Sequence, residues 1–233
     1  MDDRDMVRAA FFDVDGTLTS GRTWKGFMEY FRQNREKTGT YYLYLGYHYP
    51  LYFLKKAGLI TEGGFRAPWA ANMAWFVRGY SLEQAEKVWD YSVDYLDRFW
   101  RSDTIRILNE HKDNGDLVML VSSGPEPLLR KTAQKLGVDH FVGTKFEIMD
   151  NVFTGRSLKP TCIEEYKASM SRDYLVRNGF QVDYASSYSY ADSIADLSML
   201  EMVGNPTAVY ADESLLELAR QRGWKIYPEH GYP

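Results

Sequence analysis

Apolar and polar positions alternate in two distinct ways along the chain. Residues 7–12 read as a short buried strand whose apolar run stops at Asp13. From about residue 23 to residue 100 the pattern turns helical and aromatic. Ser81 is placed as an N-cap with Gln84 completing a capping box. Behind it, Ala85, Val88, Trp89, Val93, Leu96 and Phe99 recur at helical spacing. No strand pattern interrupts this region, which predicts a helical insert.

Strands and helices then alternate. Residues 104–112 predict a helix that stops near Gly115, and 117–121 an all-apolar central strand. A helix follows from the Pro125 and Pro127 region to Gly137. Residues 146–153, turning at Asp150-Asn151, predict a β-hairpin, and 163–177 a helix ending at Asn178-Gly179. Strands at 184–190, 207–210 and 224–227, with helices at 197–202 and 214–220, complete the pattern. The fold class is α/β, with a parallel sheet covered on both faces.

Bulk properties narrow the function. The chain has 233 residues, 45% apolar and 26% charged, with a net charge of −4. These are values of a globular protein without a nucleic-acid-binding surface. Cys162 stands alone, which excludes an internal disulfide and suits a reducing cytosol. His48, His111, His140 and His230 lack ligand spacing, so zinc is not expected. The acidic start Met1-Asp2-Asp3-Arg4-Asp5 carries no secretory signal. Residues 41–54 are interrupted by Gly46, His48 and Pro50 and are too short for a bilayer span. A cytoplasmic protein without stable membrane insertion is expected. No heptad seam indicates an oligomeric state.

Three predicted strand ends carry candidate chemistry. They are Asp13-Val14-Asp15-Gly16-Thr17, Ser122-Ser123-Gly124-Pro125 and Asp192-Ser193-Ile194-Ala195-Asp196. Singly, each has an ordinary structural reading as a turn or a helix cap. Together they bring four carboxylates to the carboxyl edge of one parallel sheet, beside hydroxyls and free N–H groups at a helix start. So much negative charge in one place calls for a cation, and hard oxygen donors favour magnesium.

In these motifs the chain resembles a phosphatase of the haloacid dehalogenase superfamily, subfamily IB, the phosphoserine-phosphatase-like branch. The resemblance rests on Asp13-Val14-Asp15-Gly16-Thr17-Leu18, on Ser122 after an apolar strand, on a lysine, and on Tyr190-Ala191-Asp192-Ser193 with Asp196. Val203-Gly204-Asn205-Pro206 before an apolar strand adds to it. It implies a Rossmann-like core over 1–21 and 102–233, with a helical cap over 22–101. It also implies Asp13 as nucleophile, forming an aspartyl phosphate, and Asp15 as acid and then base. Mg2+ would be held by Asp13, the Asp15 carbonyl and Asp192, with Asp196 supporting. Ser122, Ser123 and a lysine would hold the phosphoryl oxygens. That lysine is expected to be Lys167, in Cys162-Ile163-Glu164-Glu165-Tyr166-Lys167, rather than Lys159 before Pro160.

The substrate implied is a small phosphorylated metabolite, phosphoserine-like or an amine- or choline-type phosphoester. Two departures from phosphoserine phosphatases weaken phosphoserine itself. Arg22 stands near the place of their substrate-reading glutamate, either facing solvent or meeting a second anionic group, and Ala195 replaces an asparagine. The rings of Tyr41, Tyr42, Tyr44, Tyr47 and Tyr49 could pack the cap, line a pocket for a cationic or amphiphilic ester, or touch a membrane surface. Phosphoryl transfer to an organic acceptor and a non-catalytic binding role are the competing functions.

Overall fold

The computed structural model describes residues 6–229; the acidic start and His230 lie outside them. The sheet begins with β1 (Ala9–Phe12), all four residues buried. After it come the helices α1 (Thr23–Gln33), α2 (Thr38–Lys56) and α3 (Glu62–Asn72), a 3-10 turn at Met73–Val77, and α4 (Leu82–Leu96). Then follow α5 (Ser102–Asp113), β2 (Leu117–Pro125), α6 (Glu126–Leu136) and β3 (His140–Thr144). A hairpin of β4 (Phe146–Met149) and β5 (Val152–Ser157) precedes α7 (Glu165–Arg177). The chain finishes with β6 (Tyr188–Ala191), α8 (Leu197–Glu201), β7 (Asn205–Val209), α9 (Glu213–Arg222) and β8 (Lys225–Tyr227).

Six strands form one parallel sheet in the order β3-β2-β1-β6-β7-β8. Ala9, Phe11, Met119 and Val121 pack on one face beneath α7 and α8 residues, and Ala10, Phe12, Val118 and Leu120 on the other against Leu108 and Leu129. Helices on both faces therefore make central strands apolar throughout. The order reverses at β1, so the gap between β1 and β6 is the topological switch point, where α/β sheets bind ligands.

The helical segment has its own aromatic core, with Phe27, Phe31, Phe76 and Trp89 in contact. The predicted capping box is present: Gln84 N–H donates to Ser81 Oγ and Ser81 N–H to Gln84 Oε1. The segment leaves and rejoins the core along one seam, where Ser20 N–H donates to the Phe99 carbonyl and Arg101 N–H to the Leu18 carbonyl. Phe146 and Phe153 bring the β4–β5 hairpin into this aromatic cluster, where Phe153 N–H donates to the Tyr80 carbonyl and Gly79 N–H to the Phe153 carbonyl.

Three local features depart from the sequence pattern or are not readable from it. The strand expected at 184–190 begins only at Tyr188, because the Asp183 carboxylate accepts from Ala185 N–H, Ser186 N–H and Ser186 Oγ, bending the preceding residues into a turn. The edge strand β3 has too little alternation to be read from its residues. The helix α2 continues through Gly46, His48 and Pro50. Tyr44 and His48, both fully buried one turn apart, anchor it just before the proline. Among the described residues, no helix is long and apolar enough to cross a membrane.

Candidate active site

Register brings the motif residues together. Phe12 pairs with Leu120 of β2 and Tyr190 of β6, so Asp13 stands level with Val121 and Ala191. Ser122 and Asp192 then lie one residue further on the strands to either side. Asp13 N–H donates to the Tyr190 carbonyl at 3.0 Å, continuing the ladder to the sheet edge. Gly16 is required at the turn that follows. Its φ is +105°, and a Cβ there would lie 1.8 Å from Asp192 Oδ2.

From α7, Lys167 enters from below. Its ammonium lies 2.6 Å from Asp13 Oδ1 and 2.5 Å from Asp196 Oδ1, with the residue 4% exposed. Burial opposes its charge, but Asp13 and Asp196 more than offset that, and its pKa lies above the ordinary lysine range. Lys159 is exposed on the loop before α7. Asp196 ends the single 3-10 turn Ile194–Asp196, which Ser193 caps by accepting from Ala195 N–H. This tight turn brings Asp196 back towards Asp192, and carboxylate oxygens of Asp13, Asp192 and Asp196 lie within 4.8 Å of one another.

Asp15 points the other way, towards the helical segment. Its carboxylate accepts from Thr23 N–H and Thr23 Oγ1, both at 2.8 Å. Burial pushes its pKa up to about 6, although the Thr23 bonds pull it down. Arg22, just before α1, is partly exposed but turns its guanidinium to the acidic group. Its guanidinium donates to the Asp15 carbonyl and lies 3.4 Å from Asp192 Oδ2. Burial, with Asp13 and Asp196 close by, raises the Asp192 carboxyl to about 8. Burial and Asp13 raise Asp196 to about 6 against the opposing pull of Lys167.

Ionised together, Asp13, Asp15, Asp192 and Asp196 carry two more charges than Lys167 and Arg22 can neutralise. Burial first, and that excess second, raises the Asp15, Asp192 and Asp196 carboxyl groups. Three clustered carboxylates with the Asp15 carbonyl beside them form a hard-oxygen donor set, and it fits a divalent cation of the magnesium type. Ser122 is buried, and its Oγ accepts from Gly124 N–H at 3.1 Å, so it faces its own loop. Ser123 and Gly124 line the cavity itself, and the Ser123 carbonyl is held by Thr144 Oγ1.

That cavity measures about 690 Å3. Its floor holds Asp13, Asp15, Lys167, Asp192 and Asp196, and its opposite wall is aromatic, with Trp24, Tyr41, Tyr52, Phe65 and Trp69. Thr23 and Arg66 also line it, and neither stands in a sequence motif. Arg66 pairs with Glu62 at 2.8 Å.

The haloacid dehalogenase-like hydrolase family model matches residues 10–201, from β1 to α8. The chain belongs to that family. It is 32% identical over 232 residues to a putative hydrolase of Mycobacterium leprae, covering 95% of this chain and 73% of that one. Against a phosphoserine phosphatase of Mycobacterium tuberculosis the identity is 31%, with 95% and 71% covered. In solved structures the fold is that of a Bordetella pertussis protein of unknown function (TM-score 0.80, 24% identity, 95% and 98% covered). It is also that of a phosphoserine phosphatase in a phospho-aspartyl intermediate analogue form (TM-score 0.60, 18% identity, 95% and 93% covered). The expected α/β core of the phosphoserine-phosphatase-like branch is thereby established.

Proposed function

We propose that this family phosphatase is a magnesium-dependent phosphomonoester hydrolase that works through an aspartyl phosphate on Asp13. One observation carries the reading. Asp13 sits at the floor of a deep cavity with one carboxylate oxygen on Lys167, while a second carboxyl group, Asp15, is held apart from it by Thr23.

An Asp13 carboxylate oxygen attacks phosphorus in line, and the bond to the leaving oxygen breaks. Asp15, its pKa raised to about 6 by burial, keeps a protonated fraction near neutral pH that an ordinary aspartate lacks, and gives that proton to the leaving oxygen. The resulting Asp15 carboxylate then takes a proton from water, whose oxygen displaces phosphate from Asp13. Lys167 orients the Asp13 carboxylate through its hydrogen bond and neutralises charge on the transferring group. Thr23 fixes the Asp15 rotamer through two bonds. Held by Asp13, the Asp15 carbonyl and Asp192, magnesium would supply the charge that lets an anionic ester approach these carboxylates. Asp196 holds Lys167 in place.

Arg22, near the place where phosphoserine phosphatases carry a glutamate, would repel a substrate ammonium, which weakens phosphoserine as the substrate. The test is release of inorganic phosphate from an aryl phosphate with magnesium and no organic acceptor. Asp13→Asn is expected to abolish release while the protein stays folded. Undiminished release in that variant sinks the scheme, and aryl alcohol formed only with an alcohol acceptor, without matching inorganic phosphate, makes the protein a phosphotransferase.

A further inference from the structure

The helix α2 has two apolar sides, and only one is used by the fold. Tyr41, Leu45 and Tyr52 face the cavity above Asp13, and Tyr49, at its rim, is 56% exposed. On the outward side, Tyr42, Leu43 and Phe53 are each more than 60% exposed, and Leu59 just beyond the helix is 71% exposed. An apolar face of this extent on a protein surface marks an interaction site.

Charge identifies the partner. Residues 38–61 contain no aspartate or glutamate in a chain that is acidic overall. Arg35 and Lys56 flank the exposed face and are themselves exposed. The acids that bracket the segment are turned into ion pairs, Glu36 with Lys87 and Glu62 with Lys55 and Arg66. Exposed aromatic and aliphatic side chains between basic residues, without an acid among them, match the interfacial region of an anionic bilayer.

We infer that the outward face of α2 lies on an anionic lipid surface and that the cavity takes its phosphomonoester from there. The substrate class is an amphiphile, with a phosphate head at Asp13 and an apolar chain along Tyr41, Leu45, Phe65 and Trp69. A cavity of about 690 Å3 is of the size that encloses drug-sized ligands, and above its acidic floor the lining is largely aromatic, with Glu62, Arg66 and Glu164 as the charged residues there. This rests on the phosphatase reading and supplies its leaving group. Tyr49 and Tyr52 join the two surfaces, since both line the cavity and both are exposed.

The test pairs sedimentation with turnover. The protein is pelleted with vesicles of phosphatidylcholine alone and of phosphatidylcholine with equal phosphatidylglycerol. Hydrolysis is followed on dodecyl phosphate in the anionic vesicles and on p-nitrophenyl phosphate in solution. Association with the anionic vesicles is expected, weakened about tenfold by Leu43→Glu and again by Phe53→Glu. Both variants should lower dodecyl phosphate turnover in parallel and leave aryl phosphate turnover unchanged, which also verifies that they fold. Normal aryl phosphate turnover with no vesicle association overturns the inference. So does association that neither variant weakens, or a dimer in solution that both variants dissociate in the absence of vesicle binding. If the wild type hydrolyses neither ester, it is the phosphatase reading beneath that falls.

Discussion

The Lys167 ammonium lies 2.6 Å from Asp13 Oδ1, joining residues 154 positions apart in the chain. It touches Asp196 as well, so one buried cation holds the end of β1 to the turn after β6. Both carboxylates are themselves nearly buried, which makes the lysine the charge that compensates them. The pairing therefore bears on folding and on chemistry at once.

Lys167→Ala should leave Asp13 and Asp196 as uncompensated buried charges, a loss of about 3–5 kcal/mol. Denaturant unfolding should report that loss, and millimolar magnesium should recover part of it by supplying positive charge to the same carboxylates. Turnover of aryl phosphate should fall by roughly 10²–10³, as for other groups that stabilise transition-state charge. A variant with wild-type stability and turnover refutes the role given to Lys167.

Stability without metal should depend on pH in a definite sense. Asp15 and Asp196 are raised to about 6 and Asp192 to about 8, all above the ordinary aspartate value. Between the unfolded and folded values the folded state binds more protons, so its stability declines as pH rises. The melting temperature in chelator should fall from about pH 5 to about pH 8, and the decline should flatten when magnesium is present. A metal-free melting temperature that rises over that window contradicts the crowded-carboxylate account.

Gly16→Ala introduces a Cβ at a position where φ is +105° and Asp192 Oδ2 is 1.8 Å away. Backbone strain of about 1–3 kcal/mol is expected, with displacement of the Asp192 carboxylate. Magnesium affinity measured by calorimetry should drop together with stability. Unchanged affinity would mean that Asp192 does not bind the ion.

Much of this molecule is readable before folding because the signals are local. The apolar run ending at Asp13, the Ser81 and Gln84 cap, and the αL glycine after α6 each act within a few residues, and each is found where the pattern places it. Asp13, Asp15, Asp192 and Lys167 stand at strand ends or within short motifs, so their candidacy is readable from the sequence, and the fold brings them to one cavity. Local pattern fails at Tyr188, where the Asp183 turn competes with the strand, and at Pro50, where anchoring by Tyr44 and His48 carries the helix onward. Contacts across the chain are a matter of register and packing. Thr23 reaches Asp15 because α1 starts beside the β1 turn, and Arg22 reaches Asp192 because β6 lies next to β1. The two apolar sides of α2 look alike as residues, and only the packing of α3 and the core beneath it makes one a cavity wall and leaves the other exposed.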